Sequence, residues 1–131
     1  MREILFKAKR IDNGEWVKGA VLFHDTDATT IFNQHMGDGS LQGFEVNPST
    51  ICQCTGLKDK NGKKIWENDI LMAHLDESYP EDTTYETVEW GVAGWVTHEA
   101  NSTDREYLDK FDLEHFEVVG NIFDNPELLQ E

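Results

Sequence analysis

Two Asn-Gly pairs, Asn13-Gly14 and Asn61-Gly62, each stand between short runs of β-branched, aromatic and aliphatic residues. Asn and Gly take positive φ most readily, and a two-residue type I′ hairpin turn needs it at both central positions. A chain punctuated in this way folds back on itself as antiparallel hairpins. The runs "EILFKAK" (3–9) and "EWVKGAVLF" (15–23) flank the first pair, and "STICQCTGL" (49–57) leads into the second. Further strand-like runs are "ATTIFN" (28–33), a short "FEV" (44–46), "DILMAHL" (69–75), "TYETVEW" (84–90), "WVTHE" (95–99) and "HFEVVGNI" (115–122). In "TYETVEW" the alternation sets Tyr85, Thr87 and Glu89 on one face and Glu86, Val88 and Trp90 on the other. The glycine-rich stretch 35–43 and the polar stretch 76–83 read as loops. A short helix is predicted within 100–114, where Tyr107, Leu108 and Phe111 share a helical face, Ser102 or Thr103 is the cap and Glu106 follows Thr103 at capping-box spacing, and "DNPELLQE" (124–131) reads as a turn with a helical end. Many short strands with frequent turn signals predict a mostly-β fold, a barrel or a sandwich.

The second Asn-Gly pair carries an unusual load of charge. "TGLKDKNGKKIWENDI" (55–70) holds Lys58, Lys60, Lys63 and Lys64, four of the eleven Lys and Arg residues in a chain of net charge −15. A two-residue turn at Asn61-Gly62 would set Lys60 opposite Lys63, Asp59 opposite Lys64 and Leu57 opposite Trp66. An apolar pair and an opposite-charge pair of that kind each add roughly 0.2–1 kcal/mol. The turn therefore needs no ligand to explain it. Three functional readings compete. "GLKDKNGKK" lacks the spacing and the Ser or Thr of a phosphate-binding loop. A basic patch with an aromatic, Trp66, fits nucleic acid, although Asp59 dilutes it. A lysine-rich tip also fits an acidic protein, including the acidic half of a second copy. The candidate binding residues are Lys58, Lys60, Asn61, Lys63, Lys64 and Trp66.

The acidity itself is uneven. Residues 1–75 carry 9 basic and 10 acidic residues, whereas residues 76–131 carry 2 basic and 16 acidic ones. Such a charge repels phosphate backbones and opposes general DNA or RNA binding. It suits a solvated surface, a basic protein partner, or mimicry of nucleic acid. At 131 residues with 38% hydrophobic content, including 4 Trp and 7 Phe, the chain can build an ordinary core, which excludes intrinsic disorder. No run approaches the roughly 20 apolar residues of a membrane span. "MREILFKAKR" lacks the apolar region of a secretory signal, so the expected compartment is the cytoplasm.

Chemistry-bearing residues are sparse. Cys52 and Cys54 lie two apart on one strand, on the same face, where disulfide geometry is poor. The five histidines, 24, 35, 74, 98 and 115, show no zinc-like spacing, and "HDTD" (24–27) lacks the carboxylate count of a calcium loop. No nucleophile elbow or oxyanion-type glycine motif surrounds either cysteine, which leaves a spatial Cys–His pair as the enzymatic alternative. The expectation is a non-enzyme with no cofactor and no metal.

Three segments resemble the YopX family, small proteins encoded by phages and prophages of Gram-positive bacteria. They are "MREILFKAKRIDNGEWVKGAVLF" (1–23), "QCTGLKDKNGKKIWENDIL" (53–71) and "EVVGNIFDNPELL" (117–129). Where the family usually has Tyr-Glu-Gly-Asp, this chain has Trp66, Glu67, Asn68 and Asp69. Asn is the commonest non-Gly residue in the left-handed region, so the exchange predicts positive φ at position 68. The resemblance implies an SH3-like β-barrel over residues 51–131 and a smaller β-rich N-terminal part over residues 1–50. It implies no activity. Three functions follow as expectations: a protein-interaction module, an acidic nucleic-acid mimic that occupies a host DNA-binding protein, or a nucleic-acid module using the lysine hairpin. A protein partner or self-association is expected, and nucleic-acid or membrane partners are not.

Overall fold

The computed structural model describes residues 5–23, 29–34, 41–74, 83–99, 102–108 and 112–129. The protein is mostly β, with eleven strands among the described residues in two antiparallel sheets. The chain divides into two compact units, Met1–Cys54 and Thr55–Glu131.

In the first unit, β1 (Phe6–Lys9) and β2 (Trp16–Phe23) form the expected hairpin, but through a four-residue loop, 11–14, in which Gly14 and not Asn13 takes positive φ, rather than a two-residue type I′ turn. Arg10 N–H donates to Glu15 O at 2.8 Å, Gly14 N–H donates to Arg10 O at 2.9 Å, and Gly14 supplies the positive φ of 71°. β3 (Thr29–Gln34) pairs with β2, and β4 (Leu41–Val46) pairs with β3. Residues 41–43, read as loop from their glycine content, thus belong to a strand, and 35–40 lie outside the described residues. The inward set of the alternation closes a small core of Ala8, Val17, Ile31 and Val46, with Val21, Phe44 and Ile51 packed against it. The Lys7 and Lys9 ammonium groups stand 4.7 and 5.5 Å from the centre of the half-buried Trp16 ring. Cys52 and Cys54 are buried and stand outside any disulfide. They lie on β5 (Cys52–Lys58), whose first residues pair with β1.

In the second unit, the remainder of β5 turns into β6 (Lys64–Trp66). A five-stranded sheet follows from β7 (Asp69–His74), β8 (Thr83–Trp90), β9 (Trp95–Glu99), β10 (Arg105–Tyr107) and β11 (Glu117–Asn121), in the order β10-β9-β8-β7-β11. Among the described residues no strand pairing joins β10 to β11. Ile65, Leu71, Val88, Trp95, Leu108, Phe116 and Val118 form the core cluster. Asn68 takes φ 70°, as expected from the family comparison of its tetrapeptide, and it is the one positive-φ residue other than glycine among the described residues. Its backbone is pinned from both sides, N–H to Val88 O at 2.8 Å and O from Ile122 N–H at 3.0 Å.

No α-helix appears among the described residues of the span 100–114, where one was predicted. Residues 105–107 are strand β10, and 112–114 make a single 3₁₀ turn. Leu108 N–H donates to Trp95 O at 3.0 Å, which draws the segment into the sheet. Leu108 is buried while the adjacent Tyr107 is exposed, the alternation of a strand rather than one helical face. The Ser102 hydroxyl accepts from Asp104 N–H at 3.1 Å instead of capping a helix. Phe111 lies outside the described residues.

Candidate functional site

The lysine-rich hairpin turns differently from its sequence expectation. Asp59 N–H donates to Lys63 O at 2.9 Å and Gly62 N–H donates to Asp59 O at 3.0 Å. Gly62 has φ 81°, while Asn61 is not among the positive-φ residues. The loop is therefore three residues, a type I-like turn closed by a left-handed glycine, and not a two-residue type I′ turn. Asp59 faces Lys63 rather than Lys64, so the pairings expected from the shorter turn lose their basis.

The cause is the Asp59 carboxylate. Oδ1 accepts Asn61 N–H and Lys63 N–H, each at 2.9 Å, and Oδ2 accepts Val118 N–H at 2.9 Å. Asp59 is only 6% exposed. Burial pushes its pKa upward, but the N–H groups of Val118, Lys63 and Asn61, with the Lys63 charge, outweigh it and hold the carboxyl below the usual aspartate value. Lys60 N–H donates to Phe116 O at 3.0 Å. The turn thereby occupies backbone groups of β11, an edge of the five-stranded sheet.

This geometry separates the six sequence candidates. Lys58, Lys60, Asn61, Lys63 and Lys64 are exposed, and Lys60 Nζ stands 3.9 Å from Glu117 Oε2. Trp66 is buried at 5% exposure, so it presents no ring for stacking on a base, and its backbone N–H is donated to Asp69 Oδ2 at 2.8 Å. An open groove of about 360 Å³ runs beside Lys58, Asp59 and Lys60, walled by Leu113 and Glu114.

The β8–β10 end of the five-stranded sheet carries a different surface. Trp90 is 58% exposed, Tyr107 57% and Val92, at the tip of the β8–β9 turn, fully so. With Gly91, Val96 and Arg105 they line an open groove of about 460 Å³. Trp90 leans edge-on against Trp95, ring centres 4.8 Å apart. Arg105 Nε donates to Glu89 Oε2 at 3.0 Å, and its Nη1 donates to Thr103 O at 3.3 Å, which fixes the guanidinium and leaves its stem along the groove. His98 contacts Glu89 through Nδ1 at 3.6 Å and Ser102 O through Nε2.

On the face of β8–β10 opposite Arg105 and Tyr107, Glu86, Glu99, Asp104 and Glu106 gather in a cleft of about 270 Å³. Glu86 lies directly opposite Glu99 across the strands, a like-charge pairing. The apolar groove is not legible in the sequence because Tyr107 fits a helical face there and "GVAG" (91–94) reads simply as a turn. The signal available was a Val flanked by Gly91, Ala93 and Gly94, which is a poor place for an aliphatic side chain unless it is exposed.

Among the described residues no three His, Cys, Asp or Glu side chains form a metal-binding group. His24, His35 and the acids near them lie outside the described residues. Among the described residues no helix is long and apolar enough to cross a membrane.

No curated protein matches the chain. The crystal structure of protein EF1440 from Enterococcus faecalis is similar to it, with a TM-score of 0.67 and 24% identity, over 99% of this chain and 100% of that one. At that identity the likeness is one of fold. The family described as YopX protein matches residues 5–130, nearly the whole chain. The protein belongs to the YopX family.

Proposed function

We propose that the protein is a non-catalytic protein-interaction module, a phage or prophage accessory protein working in the cytoplasm of the bacterial host. In this reading residues 51–131 are an SH3-like barrel that presents the binding surface, and the smaller β-rich part stands before it. One observation carries the proposal: Trp90, Val92 and Tyr107 are exposed together around Arg105. Trp, Tyr and Arg dominate the energetics of protein interfaces, and large apolar side chains clustered in water mark a surface that a partner covers.

The test is differential capture from host lysate. Wild type is expected to retain a protein that Trp90→Ala/Tyr107→Ala loses and that Lys60→Ala/Lys63→Ala keeps. Identical capture by all three proteins would count decisively against this surface.

A second reading, the acidic mimic of nucleic acid, draws support from the four carboxylates in one cleft. It predicts that the captured protein binds duplex DNA and that duplex DNA displaces this chain from it. The lysine hairpin as a nucleic-acid site is weakened by buried Trp66 and by the Lys60–Glu117 pair. Absence of any DNA or RNA band shift at about 50 mM salt, where electrostatics are strongest, ends that reading.

A further inference from the structure

The two edges of the five-stranded sheet are treated in opposite ways. At β11 the Asp59 turn takes Val118 N–H and Phe116 O. At β10 nothing comparable occurs among the described residues. The register shows which backbone groups this leaves. β10 and β9 pair Arg105 with His98, Glu106 with Thr97 and Tyr107 with Val96. Leu108 N–H bonds to Trp95 O, so Leu108 with Trp95 is a hydrogen-bonded pair. Antiparallel ladders alternate, hence Glu106 also bonds to β9, whereas the N–H and C=O groups of Arg105 and Tyr107 point outward. β9 agrees: Gly91 N–H bonds to Gly94 O, which places Val96 and His98 in the pairs that bond to β8.

We infer that the β10 edge receives an extended segment of a partner protein, in which basic residues alternate with apolar ones, as an added strand. The inference rests on the protein-interaction reading above and names its partner class. Chemistry on the two faces specifies the alternation. Side chains of an added strand on the Glu106 face meet Glu99, Asp104 and Glu106, and only cations are favourable there. Side chains on the other face meet Tyr107 and the groove over Val96, whose end Trp90 and Val92 border, and aliphatic groups fit there. Outward backbone groups supply affinity and the alternating pockets supply selection, the division of labour of strand addition. The excess of 16 acidic over 2 basic residues in 76–131 draws a basic segment in from solution. A second copy is a poor occupant, because a two-fold pairing centred on Glu106 sets that carboxylate against its own counterpart.

The probe is a blocked peptide, Lys-Val-Lys-Leu-Lys-Val, titrated into the full chain and followed by amide NMR shifts. The expected result is perturbation of the Arg105 and Tyr107 amides, with affinity falling roughly tenfold between low and high salt. N-methylation at alternate positions of the peptide is expected to weaken binding by roughly tenfold or more, because it removes the strand's donors. The Glu99→Lys/Glu106→Lys double variant, with circular dichroism unchanged, is expected to exchange preference for Glu-Val-Glu-Leu-Glu-Val. Shifts that map away from β10 overturn the inference, as does equal binding of the N-methylated peptide. So does a dimer in sedimentation whose dissociation accompanies peptide binding. In each of these cases, capture that still depends on Trp90 and Tyr107 leaves the broader interaction reading standing. Capture indifferent to Trp90 and Tyr107, with the peptide still on β10, removes the broader reading alone.

Discussion

Asp59 Oδ2 accepts the backbone N–H of Val118 at 2.9 Å, joining residues fifty-nine positions apart. The same carboxylate closes its own turn through Asn61 and Lys63, so one buried charge fixes a local loop and a distant strand together.

Asp59→Asn is expected to lower unfolding free energy by about 2–3 kcal/mol, since an amide offers one acceptor oxygen where three N–H groups converge on a charged pair. The folded carboxyl lies below its ordinary value of 3.8, so its contribution is complete above that value and is lost as pH falls through the lower folded one. Urea unfolding of both proteins at about pH 7 and about pH 3 should show the difference between them shrinking in acid. A constant difference would assign the effect to shape instead of charge.

Asn68 holds φ 70° with both backbone groups bonded, so the bend cannot relax. Asn68→Ala is expected to destabilise by about 1 kcal/mol and Asn68→Val by more, because the β-branch aggravates the left-handed strain. Asn68→Gly, which takes a left-handed φ without strain, is expected to stay within about 0.5 kcal/mol of wild type. Equal melting temperatures for the Ala and Gly variants would remove the conformational explanation.

That position shows what could be read from sequence and why. A residue's own φ is a local property, and the Asn in place of Gly exposed it. The Asp59 turn was misjudged by one residue because the partner that claims its carboxylate, Val118, is invisible at short range. Trp66 looked available for stacking beside its lysines, yet its neighbour Asp69 binds its N–H and the core takes its ring. Tyr107 and Leu108 satisfied a helical spacing, but Trp95 O bonds Leu108 N–H and strand alternation separates the two side chains. Local turn chemistry and strand content were legible, whereas which surface stays open depended on contacts made far along the chain.

Gly19 is a test of close approach. A Cβ there would lie 2.0 Å from Phe32 O, at the point where β2 exchanges β1 for β3 as its partner. Gly19→Ala is expected to cost about 3 kcal/mol or more, since backbone rather than a flexible side chain blocks the space. Amide exchange should speed up across Ala20–Phe23 and Thr29–Phe32; unchanged protection there would show that the strands shift freely.

Cys52 and Cys54 are 1% and 5% exposed. Buried thiols react slowly, so labelling by an aromatic disulfide reagent in native buffer should be slower than in denaturant by roughly a hundredfold or more. The labelling rate should rise with urea along the unfolding curve. Fast labelling in native buffer would mean that β5 opens without global unfolding.

The capped edge at β11 also bears on stoichiometry. A sheet that accepts strands at both sides can serve as a link between neighbours and propagate into fibres. With the Asp59 turn seated on β11, the edge left open in the five-stranded sheet among the described residues is β10. On the strand-addition inference, a strand arriving there would complete this sheet, and assembly through it would stop at one partner per chain. The lysine hairpin would then act, in that inference, as a terminator of the sheet.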